Sequence, residues 1–350
     1  YILNPFSNLI YHYLDFKRHY QDLQQKIANH TTEPFSIITS KLPENQKQTY
    51  VIIIGESANK MHFSCYGYPR QTCEFTDAFA DHILSFSNVR SQFAQTMPSL
   101  EKAISFADNE HPDLVYTKGS LIDYFKQAGF KTYWLSNQYA LDDTIITAMT
   151  SHADYNKCFN YSGMKRFEKA GIDGDLLPDI QKIIHNDDTK KVIFIHLIGS
   201  HAAYVNRYPV EFRYFKDKMP NKKLSDTNHQ FLNSYDDSLR YTDWVLAEII
   251  KYLQQETCVN YMLYFSDHGE DVFDTNTTKL LGHSELANEP MTSIPLRLWM
   301  SDALEKARPD IRQRATHLDK PYKLEDVIHF ILDISSLENK DYDPSKSLLD

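Results

Sequence analysis

Short apolar runs recur along this 350-residue chain, separated by longer stretches with helical spacing. Runs of five to seven apolar residues are typical of strands buried on both faces, as in a parallel sheet. Helical stretches between them complete the α/β pattern. We therefore predict a mainly parallel central sheet with helices on both faces. The five predicted strands are 49–54, 131–135, 191–197, 261–265 and 296–300.

Polar side chains follow four of these five runs. Because the carboxyl ends of parallel strands meet at one edge of a sheet, we expect these side chains to lie together. Asp267 and His268 offer a carboxylate and an imidazole, which are ligands for a divalent metal. Asp, His and Gly are also ordinary turn residues, so a plain turn is the alternative. The polar residues after the four runs are Glu56, Asn137, His201, Asp267 and His268.

The segment that starts at Thr96 is predicted to open a helix. Leu100, Ala103 and Ile104 repeat with helical spacing, and Pro98 fits the first turn of a helix. Thr96 is then expected at or just before the N-cap. It is either a cap, or a hydroxyl nucleophile held by a metal at an anion-binding helix N-terminus.

The net charge of the chain indicates which kinds of binding partner it disfavours. The net charge of −10 disfavours nucleic acid, whose phosphates require a basic surface. Lys216, Lys218, Lys222 and Lys223 form the densest basic cluster. We interpret this cluster as either a solvated loop or a patch that faces lipid.

The chain has no Gly/Ser-rich or Pro-rich linker, so we expect one domain at 49–350 after a lead-in segment at 1–48. No run of 18 apolar residues occurs, which predicts no transmembrane helix. Because the first residue is not Met, we expect a piece of a longer protein whose membrane portion is missing. The segment 1–23 is amphipathic and either approaches a membrane or packs as a surface helix.

The four cysteines form no CxxC pair, so a cysteine zinc site is not expected. Cys65 and Cys73 flank a turn-forming segment that brings them within reach of each other. In an oxidising compartment we expect them to form a disulfide, whereas in the cytosol all four thiols would stay reduced.

Taken together, the motifs resemble those of the alkaline phosphatase/sulfatase superfamily, in the same order along the chain. The Thr-x-Pro-Ser segment at 96–99 is similar to the Cys-x-Pro-Ser of sulfatases, but Thr replaces the residue that sulfatases convert to formylglycine. The other motifs are Gly-Glu-Ser at 55–57, Gly-Ser-His at 199–201, Ser-Asp-His-Gly-Glu at 266–270 and Gly-His-Ser-Glu at 282–285.

The chain is most similar to the lipopolysaccharide phosphoethanolamine transferases, the group that includes the colistin-resistance enzymes. This resemblance extends from about residue 49 to 334, with further matching blocks at 66–72, 136–138 and 235–243. The segment 96–103 looks more like the branch that acts on core heptose than the lipid A branch. Lipid A enzymes usually carry more cysteines, paired into several disulfides, so the resemblance does not fix the disulfide pattern of this chain.

The resemblance implies particular roles for eight residues. Thr96 would attack phosphatidylethanolamine and carry phosphoethanolamine as a covalent intermediate. One of the two pocket histidines would protonate a leaving oxygen. The implied zinc ligands are Glu56, Thr96, Asp267 and His268, and the implied substrate-binding residues are Asn137, Gln138, His201 and His283. The two histidines would bind either the transferred phosphoryl group or a second Zn²⁺.

The resemblance also implies an overall function. The expected enzyme transfers phosphoethanolamine to a lipopolysaccharide acceptor, either core sugar or lipid A, as a monomer at the periplasmic face of the inner membrane. The enzyme would bind one or two Zn²⁺ ions. The alternatives are a phosphoglycerol transferase, a phosphodiesterase or phosphatase of the same superfamily, and a catalytically idle metal-binding domain.

Overall fold

The structure is a computed structural model that describes residues 39–139, 145–160, 171–219 and 222–349. Most of the predicted lead-in, including the amphipathic segment 1–23, lies outside the described residues. The strands are β1 (Thr39–Ser40), β2 (Gln48–Gly55), β3 (Ile83–Arg90), β4 (Lys131–Tyr139), β5 (Tyr155–Asn160), β6 (Lys190–His196), β7 (Val259–Ser266), β8 (Ser293–Met300), β9 (Tyr322–Lys323) and β10 (Leu337–Glu338).

Eight of these strands form one sheet in the order β5-β4-β6-β2-β7-β8-β3-β9. The five strands from β5 to β7 in that order are mutually parallel, and β8 runs antiparallel to both β7 and β3. The predicted mainly parallel sheet is thus confirmed. Because β8 runs in the opposite direction, its carboxyl end lies at the other edge of the sheet. This reversal explains why no functional group follows the fifth apolar run.

The central strand β2 shows why its sequence is apolar at successive positions. Tyr50, Ile52 and Ile54 belong to the core on one face of the sheet. Val51 and Ile53 belong to the core on the other face. Since successive side chains of a strand point to opposite faces, a strand covered on both sides must be apolar throughout.

Helices cover both faces, as the sequence predicts. Side chains of α3 and α10 pack in the core that contains Tyr50, and those of α5 and α6 pack in the opposite core. The α-helices are α1 (Thr96–Ala103), α2 (Leu114–Thr117), α3 (Leu121–Gln127), α4 (Ile145–Thr150), α5 (Leu177–Ile184), α6 (Asp226–Gln254), α7 (Glu289–Thr292), α8 (Asp302–Ala307), α9 (Pro309–Arg314) and α10 (Val327–Ile334). Short 3-10 helices span Lys60–His62, Ser64–Tyr66, Asp77–His82, Asp173–Leu176, Tyr204–Asn206, Val210–Phe212, Leu324–Asp326 and Pro344–Lys346.

The start of the described chain packs on the rest of the fold. Thr39 and Ser40 pair with Glu338 and Leu337 in a small antiparallel ladder. Gln48 opens β2 and is fully buried. The exact boundary between lead-in and catalytic domain, placed at residue 48 from the sequence, stays a prediction.

Candidate active site

Strand register brings Glu56 together with Asp267 and His268. Gly55 at the end of β2 pairs with Ser266 at the end of β7, so the next residues, Glu56 and Asp267, leave the sheet side by side. One ligand atom each from Glu56, Asp267 and His268 lies within 4.8 Å of the others, and all three residues are buried. These three side chains therefore lie close together, as the sequence predicts.

Two atoms of this cluster lack hydrogen-bond partners. Asp267 Oδ2 and His268 Nε2 are buried with none, although His268 Nε2 lies 3.2 Å from Glu56 Oε1 and 3.6 Å from Asp267 Oδ2. Buried polar atoms without a partner are rare in folded proteins and require an explanation. Two carboxylates and an imidazole are a donor set that suits Zn²⁺. The residues therefore fit a divalent cation.

Burial and the charges of the neighbouring groups shift the pKa values of all three residues. Burial raises the pKa of the Asp267 carboxyl to about 7, and the Glu56 carboxylate adds to the rise. Burial lowers the pKa of His268, but Asp267 and Glu56 outweigh it and raise that pKa to about 10. Burial also opposes ionisation of Glu56, yet the charge of His268 outweighs this and lowers the pKa of Glu56. A bound cation would favour the deprotonated ligands instead.

The backbone beside this cluster is held in a strained conformation. Ser57, which is not glycine, has a φ of +57°. Its amide donates to Asp267 Oδ1 at 3.2 Å, and its hydroxyl donates to Glu56 Oε1 at 2.7 Å. Tyr235 on α6 donates its hydroxyl to the Ser57 carbonyl at 2.8 Å. Strained residues that the surroundings hold in place are concentrated at functional sites.

Thr96 is the first residue of α1, and the N-cap is Gln95. The prediction that Thr96 lies at or just before the N-cap was therefore wrong by one position, because Gln95 keeps extended dihedrals. The Thr96 hydroxyl donates to Glu56 Oε2 at 2.9 Å. It thus lies against the carboxylate cluster and does not cap the helix.

His283 lies beside the cluster and is oriented by Glu270. Its ring centroid is 4.7 Å from that of His268. His283 Nδ1 is 2.9 Å from Glu270 Oε1, and the hydroxyl of Tyr204 donates to the other Glu270 oxygen. The sequence motif at 266–270 contains Glu270, but sequence reasoning gave it no role. The sequence feature that could have identified Glu270 is its position in the same motif as Asp267 and His268.

His201 reaches the site through a tight backbone approach. Gly199 has a φ of +48°, and a Cβ there would lie 2.7 Å from the carbonyl oxygen of Glu56. His201 Nδ1 is buried without a hydrogen-bond partner, and burial lowers the pKa of the ring. His196 ends β6 and is buried, and burial lowers its pKa to about 4.

The adjacent amides Asn137 and Gln138 differ in placement. Gln138 Nε2 donates to Glu56 Oε2 at 3.0 Å and so touches the cluster directly. Asn137 is fully buried, and its Nδ2 donates to Asp173 Oδ1 at 2.8 Å. Asp173 in turn accepts the amide hydrogens of residues 198 and 199. Asn137 thus lies behind the loop that carries His201, and its role in substrate binding stays a prediction.

Cys65 and Cys73 approach each other as expected but are not bonded. Both are free thiols, with their Sγ atoms 2.9 Å apart. A disulfide bond measures about 2.05 Å. The predicted proximity is confirmed, whereas the expected disulfide is not formed in this structure.

Comparison with known proteins identifies the family. The sulfatase family model matches residues 48–336. The chain belongs to the sulfatase family. This membership confirms the superfamily resemblance carried by the motifs at 55–57, 96–99 and 266–270. No helix in the described part of this family member is long and apolar enough to cross a membrane.

Two curated relatives of this chain are phosphoethanolamine transferases. EptC of Escherichia coli strain K12 is 33% identical over 315 residues, which are 87% of this chain and 54% of the relative. CptA of Salmonella typhimurium is 34% identical over 310 residues, which are 86% of this chain and 53% of the relative. The chain thus spans about half the length of the curated relatives it matches.

Solved structures confirm the sulfatase-like fold. The C-terminal periplasmic domain of E. coli EptC, in complex with zinc, superposes with a TM-score of 0.84 at 31% identity, covering 91% of this chain and 90% of that domain. The soluble domain of lipooligosaccharide phosphoethanolamine transferase A from Neisseria meningitidis gives a TM-score of 0.75 at 22% identity, covering 91% and 98%. At that lower identity the likeness concerns the fold alone.

Proposed function

We propose that this chain is the catalytic part of a zinc-dependent phosphoethanolamine transferase that uses Thr96 as its nucleophile. The observation that carries the proposal is the Thr96 hydroxyl lying 2.9 Å from Glu56, inside a buried cluster with Asp267 and His268. Similarity to EptC, whose periplasmic domain was crystallised with zinc, supports the choice of both metal and reaction.

Glu56, Asp267, His268 and Thr96 Oγ1 would hold the zinc ion. The ion would supply Lewis-acid chemistry, lowering the pKa of a coordinated hydroxyl and stabilising developing negative charge. The unpartnered Asp267 Oδ2 and His268 Nε2 are the atoms that support this assignment. Gln138 would steady the Glu56 carboxylate through its 3.0 Å hydrogen bond.

In the first step, Thr96 Oγ1 attacks the phosphorus of phosphatidylethanolamine. A bond forms between Oγ1 and phosphorus, the bond from phosphorus to the glycerol oxygen breaks, and diacylglycerol leaves. Glu56 Oε2 is the acceptor that lies within reach of the Thr96 proton. His283, oriented by Glu270, supplies a proton to the leaving oxygen, as general acid catalysis requires.

In the second step, an acceptor hydroxyl attacks the phosphorus of phosphoethanolamine-threonine, and the bond from phosphorus to Thr96 Oγ1 breaks as the new oxygen–phosphorus bond forms. His283 takes the proton of the acceptor hydroxyl, and Glu56 returns its proton to Oγ1 to regenerate the Thr96 hydroxyl. His201 is held near the cluster by the Gly199 turn, and its imidazole would bind the transferred phosphoryl group. We assign Asn137 to the support of this pocket through Asp173 and the 198–199 backbone.

We further propose the substrates and the location. The donor is phosphatidylethanolamine and the acceptor is a lipopolysaccharide core sugar or lipid A. This domain faces the periplasm at the inner membrane as a monomer, with the membrane surface as its partner. The names of the matched proteins, a periplasmic EptC domain and a lipooligosaccharide transferase, support these assignments.

A product analysis tests the function. The zinc-loaded protein is incubated with phosphatidylethanolamine and a lipopolysaccharide acceptor, and both lipid products and acceptor are analysed by mass spectrometry. We expect diacylglycerol and a phosphoethanolamine-modified acceptor in equal amounts. Phosphatidic acid or free phosphoethanolamine alone would identify hydrolysis. Transfer only in a parallel reaction, with phosphatidylglycerol in place of phosphatidylethanolamine, would identify a phosphoglycerol transferase. No turnover of any phosphodiester would identify an idle metal-binding domain.

A further inference from the structure

A basic surface segment borders the candidate active site. We call it the basic strap and define it as residues 213–219 together with 222 and 223. Its five basic residues and one acidic residue give it a net charge of +4, in a chain whose net charge is −10. The basic residues are Arg213, Lys216, Lys218, Lys222 and Lys223, and the acidic residue is Asp217.

The backbone of the basic strap is fixed against the domain. The amides of Tyr214 and Phe215 both donate to Asp237 Oδ1 on α6 at 3.0 Å. Arg70 Nη2 donates to the carbonyl of Asp217 at 2.8 Å, and its guanidinium lies 5.0 Å from the Phe215 ring centroid. A surface held in this way spends less conformational entropy when it binds a partner.

Three of the five cations of the basic strap are available to a partner. Lys222 pairs with the largely buried Asp274 at 2.8 Å, and Lys218 pairs with Asp226 at 2.6 Å. Arg213, Lys216 and Lys223 are exposed, and within the described part of the chain none of them forms an ion pair.

Exposed apolar side chains accompany these cations. Tyr214 within the basic strap is 54% exposed, and Val210, three residues before the strap, is 62% exposed. Aromatic side chains beside basic ones are typical of surfaces that lie at a membrane–water interface. This chemistry combines charge attraction with shallow apolar contact.

The basic strap lies at the catalytic edge of the sheet. Lys222 pairs with Asp274 at 2.8 Å, and Asp274 Oδ2 accepts a hydrogen bond at 3.3 Å from Asn59, three residues after Glu56. Whatever the strap binds is thus held near the candidate active site.

We infer that the basic strap binds an anionic phospholipid surface and holds the catalytic edge against the bilayer that contains the lipid donor. The inference rests on the proposed function, since that function requires a donor embedded in a membrane. Phosphate groups of acidic lipids complement Arg213, Lys216 and Lys223, and each basic residue near such a surface increases binding roughly fivefold.

Vesicle co-sedimentation tests this inference. The zinc-loaded protein is mixed with vesicles of phosphatidylcholine alone, or of phosphatidylcholine and phosphatidylglycerol in equal parts. We expect binding only to the anionic vesicles, weakened by salt. Lys216→Glu/Lys223→Glu should weaken that binding at least about 25-fold, because two favourable charges are lost. The control Lys182→Glu/Lys306→Glu changes the net charge equally, on exposed residues of α5 and α8, and should bind like the parent.

Every outcome of this experiment either supports or overturns the inference that the strap binds an anionic membrane. Equal binding by the strap and control variants, equal binding to both kinds of vesicle, or no binding by the parent would overturn the inference. So would binding of a phosphorylated oligosaccharide, but not of vesicles, at the strap. Turnover of a soluble phosphodiester should be unchanged in the strap variant. If the parent protein does not turn over the soluble phosphodiester, the proposed function is refuted. The vesicle assay still decides by itself whether the strap binds an anionic membrane.

Discussion

Thr96 Oγ1 donates a 2.9 Å hydrogen bond to Glu56 Oε2, which joins the first turn of α1 to the carboxyl end of β2. A threonine that only capped its helix would direct its oxygen to a backbone amide two or three residues later. Here the hydroxyl instead lies at the one buried cluster in the described residues that can hold a metal ion. That placement argues against a cap and supports the proposal that Thr96 is the nucleophile.

Asp267→Asn should abolish zinc binding and transfer together. The change removes one ligand charge while keeping the shape of the side chain, so we expect zinc affinity to fall by more than about 100-fold, beyond the loss typical of outer-shell partners. Metal analysis of the purified variant checks this. Asp243→Asn serves as control, because Asp243 is also buried but pairs with Arg297 away from the cluster. Stoichiometric zinc in Asp267→Asn would contradict the ligand assignment.

Glu270→Gln should reduce transfer by about 10- to 100-fold while zinc stays stoichiometric, because the partner that orients His283 loses its charge. His283→Ala should likewise retain zinc and lose most transfer. Tyr204→Phe is the matched control, since it removes one hydrogen bond to Glu270 and leaves the Glu270 charge intact. If Tyr204→Phe loses as much activity as Glu270→Gln, the charge of Glu270 is not what matters.

Deprotonation of His62 should lower the stability of the fold at alkaline pH. Burial lowers the pKa of this ring, but Asp274 and Asp236 outweigh it and raise that pKa to about 9. Because the folded protein binds this proton more tightly than the unfolded chain, its contribution to stability is complete below pH 6.5 and lost as pH rises through 9. Denaturant unfolding should show the free energy of unfolding falling across that window. His62→Gln should flatten the slope, whereas the exposed control His317→Gln should not.

Cys65 and Cys73 should become a disulfide when the protein is made in an oxidising compartment. Their Sγ atoms already touch at 2.9 Å, so little movement is needed. Closing so short a loop should stabilise the fold by about 2 kcal/mol. Alkylation and peptide mapping should find Cys65 joined to Cys73 while buried Cys258 stays a thiol. Two alkylated thiols at 65 and 73 in exported protein would refute this prediction.

The sequence predicted the part of the fold that is buried on both faces. Strands such as β2 and β7 must be apolar at every position, so their runs are visible, and the residues after them define the site edge. Five other strands were missed. The strands β1, β9 and β10 have only two residues each. β5 is a polar edge strand, and β3 (Ile83–Arg90) is only half-buried, so neither has a continuous apolar run.

Roles that depend on contacts between distant segments were beyond sequence reasoning. Glu270 orients His283 only because residue 283 folds back on the strand end, and Asp173 supports the 198–199 backbone from another loop. The position of Thr96 relative to the helix start depends on the extended dihedrals of Gln95. Residue types alone do not encode such placements.

The most direct test of the account is the intact mass of the purified chain after incubation with phosphatidylethanolamine and zinc, without acceptor. We expect one added phosphoethanolamine group, mapped to Thr96 by peptide fragmentation. Thr96→Ser should carry the same group on Ser, because a hydroxyl remains. Thr96→Ala should fold, bind zinc more weakly and carry no group. An adduct on another residue, or near-parental transfer by Thr96→Ala, would contradict the central claim that Thr96 is the nucleophile.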